Sequence, residues 1–256
     1  MAQLHNTFSL KDLGEMYYFL GIEVSSSSIG TVILKQTKYI IELLKKSDMI
    51  NDKPVPTPMN SSLNLSTFGD STFNNHILYR FIVGTIRHGL RFSKFINFRI
   101  YGFCDSDWAS DVDDRKSTNG FAIYLGSNLV SWASRKKTAA SKSSTEAEFR
   151  GISNAVTKIV WLQNLLAELK ISCSIKPIIY CDNQSVVLLS ANLILHNKSK
   201  YFVLSQSFVR EFVTKKEIFV QYILAQDQLV NTLTKPLSAT AFLKFRDLLR
   251  VFEVEL

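Results

Sequence analysis

Two apolar runs in this chain end on the same dipeptide, Cys-Asp, and this repetition constrains the fold more than any other feature. The runs are IYGFCD, which ends at Asp105, and PIIYCD, which ends at Asp182. If both are buried strands, the aspartates leave a sheet at comparable points, and neighbouring parallel strands would place the two carboxylates side by side. The alternative is that each aspartate only begins a turn or caps the next helix.

Two carboxylates held that close repel each other. Such a pair is tolerated when the two groups share one proton or when a divalent cation lies between them. Hard oxygen ligands without histidine or cysteine suit Mg²⁺ or Mn²⁺. We therefore hypothesise that a divalent cation binds where the two strands end.

A third carboxylate is predicted from the phase of a long helix. Glu148 lies four residues before the first member of an apolar stripe and so faces the sheet, whereas Glu146 points nearly the opposite way and is predicted to be a solvated first-turn residue. Ser143 or Ser144 can cap this helix. The stripe comprises Ile152, Ala155, Ile159, Leu162, Leu166 and Leu169. An inward carboxylate needs a metal or a cationic partner, because an uncompensated buried charge is strongly unfavourable.

The order of patterns along the chain indicates the fold class. Three strand patterns follow one another, then come the long helix and a fourth strand that alternates with further helices, which predicts a mixed sheet covered by helices. Before them, a small α/β unit gives way at Asn51 to a segment rich in Pro, Ser, Thr and Asn that resembles a linker. No apolar stretch approaches the length of a membrane span and no signal peptide is evident, so we expect an intracellular protein, cytoplasmic or nuclear, without a membrane partner.

Several long motifs resemble one known family. CDSDWASDVDDRKSTNGFAIYLG, SSTEAEFRGIS, YCDNQSVVLL and DQLVNTLTKPL are similar, in order and spacing from about Ile100 to Leu237, to the ribonuclease H region of copia-type long-terminal-repeat retrotransposon Pol polyproteins. KDLGEMYYFLGIEV resembles the last part of the reverse transcriptase of the same polyproteins. The resemblance implies a C-terminal fragment with an α/β, ribonuclease H-like mixed five-stranded sheet flanked by helices, preceded by a small truncated reverse-transcriptase-derived segment.

This resemblance also implies a division of the chain. Residues 1–50 would be the reverse transcriptase remnant, 51–97 a linker and truncated connection, 98–237 the ribonuclease H-like domain and 238–256 a C-terminal helix. LYRFIVGTIRHGLRF joins two motifs that the family separates by a long helical segment. A segment is therefore expected to be missing near Gly84–Arg87, through a deletion or an artefact of the gene model. Because the polymerase catalytic centre is also absent, we expect no DNA synthesis by this chain.

The chemistry implied by the resemblance is metal-dependent hydrolysis of the RNA strand of an RNA/DNA hybrid. Asp105, Glu148 and Asp182 match the ligands of two Mg²⁺ ions, for which Mn²⁺ is a substitute. Asn231 stands where the family usually carries a fourth catalytic acid, so reduced activity is expected; Asp227, four residues earlier, is a candidate replacement. The alternative is a decayed, non-catalytic retroelement fragment that at most binds nucleic acid.

A basic composition is compatible with a polyanionic partner. The formal net charge is +8, and a cluster of basic residues lies just before the Glu148 helix, where it could contact a nucleic acid backbone without sequence preference. The alternative is that these basic residues only form a solvated loop. The cluster consists of Arg135, Lys136, Lys137 and Lys142.

Overall fold

The computed structural model describes residues 14–27, 30–53, 55, 57, 58, 86–191 and 200–254, with the backbone alone at 200–203. The strands are β1 (Tyr18–Phe19), β2 (Ile22–Ser26), β3 (Val32–Lys35), β4 (His88–Phe92), β5 (Ile100–Asp107), β6 (Thr118–Leu125), β7 (Asn128–Lys136), β8 (Ile178–Cys181), β9 (Phe219–Tyr222) and β10 (Val251–Glu253). The helices are α1 (Thr37–Lys46), α2 (Ser144–Glu168), α3 (Gln184–Ala191), α4 (Lys200–Thr214), α5 (Asn231–Thr234) and α6 (Ala239–Leu248). Within the described ranges, no helix combines the length and the apolar character that crossing a membrane requires.

A five-stranded mixed sheet carries both Cys-Asp motifs. Its strand order is β7-β6-β5-β8-β9, with β7, β6 and β5 antiparallel and β5, β8 and β9 parallel. Strands β5 and β8 are parallel neighbours, so the two Cys-Asp motifs lie side by side although they are far apart in sequence. Parallel neighbours require such a long connection. The predicted fold class, an α/β fold with a mixed five-stranded sheet flanked by helices, is confirmed.

Helix α2 covers one face of this sheet with its apolar stripe. Ile152 and Ile159 are fully buried and belong to one core cluster with Ile123 and Ile179 of the sheet. The helix begins where the sequence indicated: Ser143 is the N-cap, and its Oγ accepts a hydrogen bond from the backbone N–H of Glu146 at 3.2 Å. Burial of the stripe fixes the rotation of α2, and with it the direction of every side chain in its first turns.

Helices α5 and α6 pack on the opposite face. Val230, just before α5, and Phe245 of α6 are buried there with Tyr124 of β6. Their approach is close at Gly120, where a Cβ would lie 2.8 Å from side-chain atoms of both Thr234 and Val230. A residue without a side chain on β6 therefore lets α5 rest directly on the sheet, beside the strand that carries Asp105.

The remaining strands form a second, antiparallel sheet of order β1-β2-β3-β4-β10. Strand β4 lies within the segment interpreted as linker, and β10 follows α6 in the segment interpreted as a C-terminal helix. Each of these short strands is stabilised by pairing with the other, a contact for which local sequence carries no signal. The division of the chain into domains stays a prediction, and residues 59–85 of the linker lie outside the described residues.

Candidate active site

The end of the mixed sheet brings Asp105 and Asp182 together. Strand β5 runs parallel to β8, with Phe103 opposite Tyr180, so Asp105 and Asp182 follow at equivalent positions two residues later. Asp105 is fully buried and Asp182 partly so. Burial, followed by the nearby Asp105 carboxylate, raises the pKa of Asp182. The two carboxylates therefore influence each other, as the repeated sequence pattern predicts.

Glu148 reaches the same place from helix α2. Its side chain is buried, and the Cys181 thiol lies 3.9 Å from Glu148 Oε2. Ligand atoms of Glu148, Cys181 and Asp182 all lie within 4.8 Å of one another. Burial is the largest cause that raises the pKa of Glu148 to about 10, and Cys181 and the two aspartates add to it.

The prediction for Glu146 is wrong. This residue is buried, its carboxylate contacts Arg150 at 2.6 Å, and it accepts a hydrogen bond from the backbone N–H of Lys142 at 3.0 Å. The helical phase directed Glu146 away from the sheet correctly, but the loop before α2 and the next turn of the helix enclose it. Glu146 therefore stabilises the start of the helix that presents Glu148.

Asp105, Glu148 and Asp182 form a carboxylate cluster, and Asn231 lies beside it. The sequence interpretation missed two residues next to Asn231, namely Thr234 and Lys235. Lys235 Nζ donates to Asp105 Oδ1 at 2.9 Å and to Asn231 Oδ1 at 3.1 Å, while Thr234 Oγ1 donates a short hydrogen bond to Asp105 Oδ2. Both missed residues stand in the DQLVNTLTKPL motif, and their spacing from Asn231 on a helix was the available signal. Asp105 is thus neutralised by an ammonium group.

Gln228 is a further residue that the sequence interpretation missed. It is fully buried, and its Nε2 donates to the Cys104 carbonyl at 2.8 Å. A hydrogen bond from Gln228 also lowers the pKa of Asp182, opposing the effect of burial. Asp227, by contrast, is half exposed and pairs with Lys244 at 3.4 Å, so it does not replace the acid that is missing at Asn231.

The donor set fits a divalent cation. Asp182 Oδ1 is buried and has no hydrogen-bond donor within the described part of the chain. Glu148, next to it, is a carboxylate whose burial disfavours its charged form. Two of the three candidate ligand atoms are therefore carboxylate oxygens, the hard ligands that Mg²⁺ and Mn²⁺ prefer, and the third is the Cys181 sulfur, which the sequence interpretation did not include.

The four predicted nucleic-acid-binding residues differ in their surroundings. Arg135 and Lys142 are exposed, and Lys137 is partly buried. Lys136 is already paired, since its Nζ lies 2.5 Å from Asp111 and 3.1 Å from Asp114. The basic cluster thus lies around the start of α2, with Lys136 largely neutralised by the loop after β5.

We expect the stability of the metal-free protein to fall as the pH rises. Glu148 keeps its proton in the folded state up to about pH 10, whereas the unfolded chain loses it near pH 4 to 5. Between these values the folded state binds one proton more, so the free energy of unfolding decreases by about 1.4 kcal/mol per pH unit. Urea unfolding in EDTA at pH 6 and pH 8 measures this slope, and Glu148→Gln should flatten it. An equal slope in the variant would contradict the assignment.

Comparison with known proteins gives relatives along nearly the whole chain. The Retrovirus-related Pol polyprotein from transposon RE1 of Arabidopsis thaliana is 35% identical over 301 residues, which cover 98% of this chain and 20% of that polyprotein. An uncharacterised mitochondrial protein of the same plant is 32% identical and covers 62% of this chain and 83% of its own length. No family model matches. The chain thus spans about a fifth of the length of the polyproteins it matches.

The length of the match bears on the predicted missing segment. The match to the RE1 polyprotein runs over 301 residues, whereas the chain has 256, so the relative holds at least 45 residues without a counterpart here. This agrees with a segment lost from the chain. The junction is predicted near Gly84–Arg87, of which Gly84 and Thr85 lie outside the described residues.

Among solved structures, LC11-RNase H1 in complex with RNA/DNA hybrid is similar with a TM-score of 0.41 and 11% identity. The similarity covers 53% of this chain and 94% of that one.

Proposed function

Because this chain belongs to the family of retrovirus-related Pol polyproteins from copia-type transposons, we propose that it is their ribonuclease H-type nuclease. Its substrate would be the RNA strand of an RNA/DNA hybrid and its cofactor Mg²⁺, with Mn²⁺ as a substitute. The observation that carries the proposal is that Glu148 and Asp182 lie within 4.8 Å of each other, with an unpartnered oxygen on Asp182. Asp105 lies beside them on the neighbouring strand.

Each carboxylate has a distinct task in this proposal. Glu148 and Asp182 would hold the cation, which when bound lowers the pKa of an attacking water and stabilises charge on the phosphate. Asp105 is kept in one orientation by Thr234 and Lys235, which occupy both of its oxygens. Gln228 would hold Asp182 in place from the other side, since it hydrogen-bonds both that carboxylate and the backbone of β5.

The basic cluster would bind the hybrid. Arg135, Lys137 and Lys142 lie around the start of α2, the helix that also carries Glu148, so phosphates bound there would extend towards the carboxylates. Lys136 would contribute less, because Asp111 and Asp114 compensate its charge. Such binding depends on phosphate neutralisation and weakens steeply with salt.

A cleavage assay tests the proposal. Purified chain is incubated with an RNA/DNA hybrid labelled on the RNA strand, in Mg²⁺, in Mn²⁺ and in EDTA, and Asp182→Asn serves as the matched variant. We expect RNA cleavage by the unchanged chain with either metal, and none in EDTA or by the variant. A DNA duplex of the same sequence should remain intact. Equal cleavage by both proteins, or cleavage by neither, would refute the nuclease function.

A second candidate, a non-catalytic fragment that binds nucleic acid, is favoured by one observation. The position of the fourth acid is occupied by Asn231, whose oxygen accepts a hydrogen bond from Lys235. Hybrid binding that falls with salt, in the complete absence of cleavage by the unchanged chain, would select this candidate.

A further inference from the structure

Lys235 lies between two oxygens at the cluster. Its Nζ is 2.9 Å from Asp105 Oδ1 and 3.1 Å from Asn231 Oδ1. The side chain is about one-third exposed (35%), whereas the Asp105 side chain is 1% exposed. The ammonium group thus bridges a buried carboxylate and a buried amide oxygen from the more open side.

The ammonium group of Lys235 is already held by two oxygen atoms. Asp105 is its ion-pair partner and Asn231 supplies an uncharged oxygen, while Asp107 and Asp182 add negative charge nearby. A divalent cation placed between Asp105 and Asn231 would have to displace the ammonium group or lie against it, and two cations at such a distance repel strongly in a buried site. A divalent cation can therefore bind between Asp105 and Asn231 only if the ammonium group leaves.

Glu148 and Asp182 are the two carboxyl groups at the cluster that have no ion-pair partner among the described residues. Ligand atoms of Glu148 and Asp182 lie within 4.8 Å of each other, and Asp182 Oδ1 has no donor among the described residues. No ammonium or guanidinium group contacts these two carboxylates at ion-pair distance in the described ranges, whereas Asp105 has Lys235. Glu148 and Asp182 thus offer a divalent cation two carboxyl groups from which no ammonium group has to be displaced, and Glu148 would release its proton when the cation binds.

We infer that Lys235 takes the place of a second cation, so that the chain binds a single divalent ion, held by Glu148 and Asp182. The inference rests on the proposed function, because it specifies how the same site is charged. It differs from the two ions that the family resemblance implies, and the difference follows from the combination of Asn231 with Lys235. Lys235 is a positioning residue here: it fixes Asp105 and supplies a positive charge that needs no metal.

Metal stoichiometry tests the inference without relying on catalysis. Binding of Mn²⁺ alone is followed by electron paramagnetic resonance and by titration calorimetry on the full chain. The unchanged chain should bind one ion. Combining Lys235→Met with Asn231→Asp adds a carboxylate and removes the ammonium group, so this double variant should bind two. The matched control combines Lys235→Arg with Asn231→Asp, which adds the same carboxylate but keeps a positively charged side chain at position 235. This control should bind one Mn²⁺ ion.

Each outcome decides a different point. Two ions on the unchanged chain would overturn the inference and leave the metal-dependent nuclease standing. No ion on the unchanged chain would overturn both. Two ions on the arginine double variant would show that a cation at position 235 does not exclude metal, which also overturns the inference. Circular dichroism confirms that each variant is folded, and a second ion on the unchanged chain overturns the inference even where a variant fails to fold.

Discussion

Glu148→Gln is expected to lower cleavage of the RNA strand by between about 100- and 1000-fold, the range in which removing one electrostatic group from a reaction centre falls. The amide keeps the shape of the side chain but removes the charge that would hold the cation. Glu148 is buried, and its ligand atom lies within 4.8 Å of that of Asp182. Single-turnover cleavage of a labelled hybrid in Mg²⁺ measures the effect.

The matched control is Glu168→Gln, which changes the same residue type at the other end of the same helix. Glu168 is exposed and lies about 30 Å along the helix axis from Glu148, so cleavage should be unchanged. Hybrid binding at low salt should survive in both variants, because the basic cluster is intact. Equal loss of cleavage in the two variants would mean that the helix, and not the site, was damaged.

Lys235→Met is expected to lower the free energy of unfolding by about 2 to 4 kcal/mol in EDTA. Breaking a buried ion pair by removing one partner leaves an uncompensated charge, and Asp105 is fully buried. The estimate is reduced from that of a fully buried pair because the Lys235 side chain is 35% exposed. Urea unfolding at pH 7 provides the measurement.

Lys244→Met is the control for this prediction. Lys244 also pairs with an aspartate, Asp227, but at 3.4 Å and with both side chains more than half exposed. An exposed pair of this kind contributes at most about 1 kcal/mol, so the two lysine variants should differ clearly. Mn²⁺ should restore part of the stability lost in Lys235→Met, since a cation can then occupy the vacated position beside Asp105. Similar destabilisation in both variants would contradict the role given to Lys235.

The parts of the site that depend on local periodicity could be predicted from the sequence. Asp105 and Asp182 follow apolar strands, and parallel pairing of β5 with β8 brings such positions together. Glu148 was located by its phase on α2, which the buried stripe fixes. Strand period and helix phase are properties of neighbouring residues, so one sequence contains them.

The contacts that sequence reasoning missed join residues remote in the chain. Lys235 reaches Asp105 across 130 residues, and β4 pairs with β10 although neither has a strong strand pattern. Glu146 was misjudged for a related reason: the direction of its side chain was predictable, but the groups that enclose it were not. Such contacts are decided by packing of the whole chain, which overrides local preference.

The pairing of β10 with β4 sets an order of events during synthesis. Glu253 stands opposite His88, and all of the mixed sheet is encoded between them. The antiparallel sheet can therefore reach its five-stranded form only after the ribosome has made every residue of the mixed sheet. Pairing so distant in sequence is slow to form, and until β10 arrives, β4 is an unprotected edge that another chain could extend.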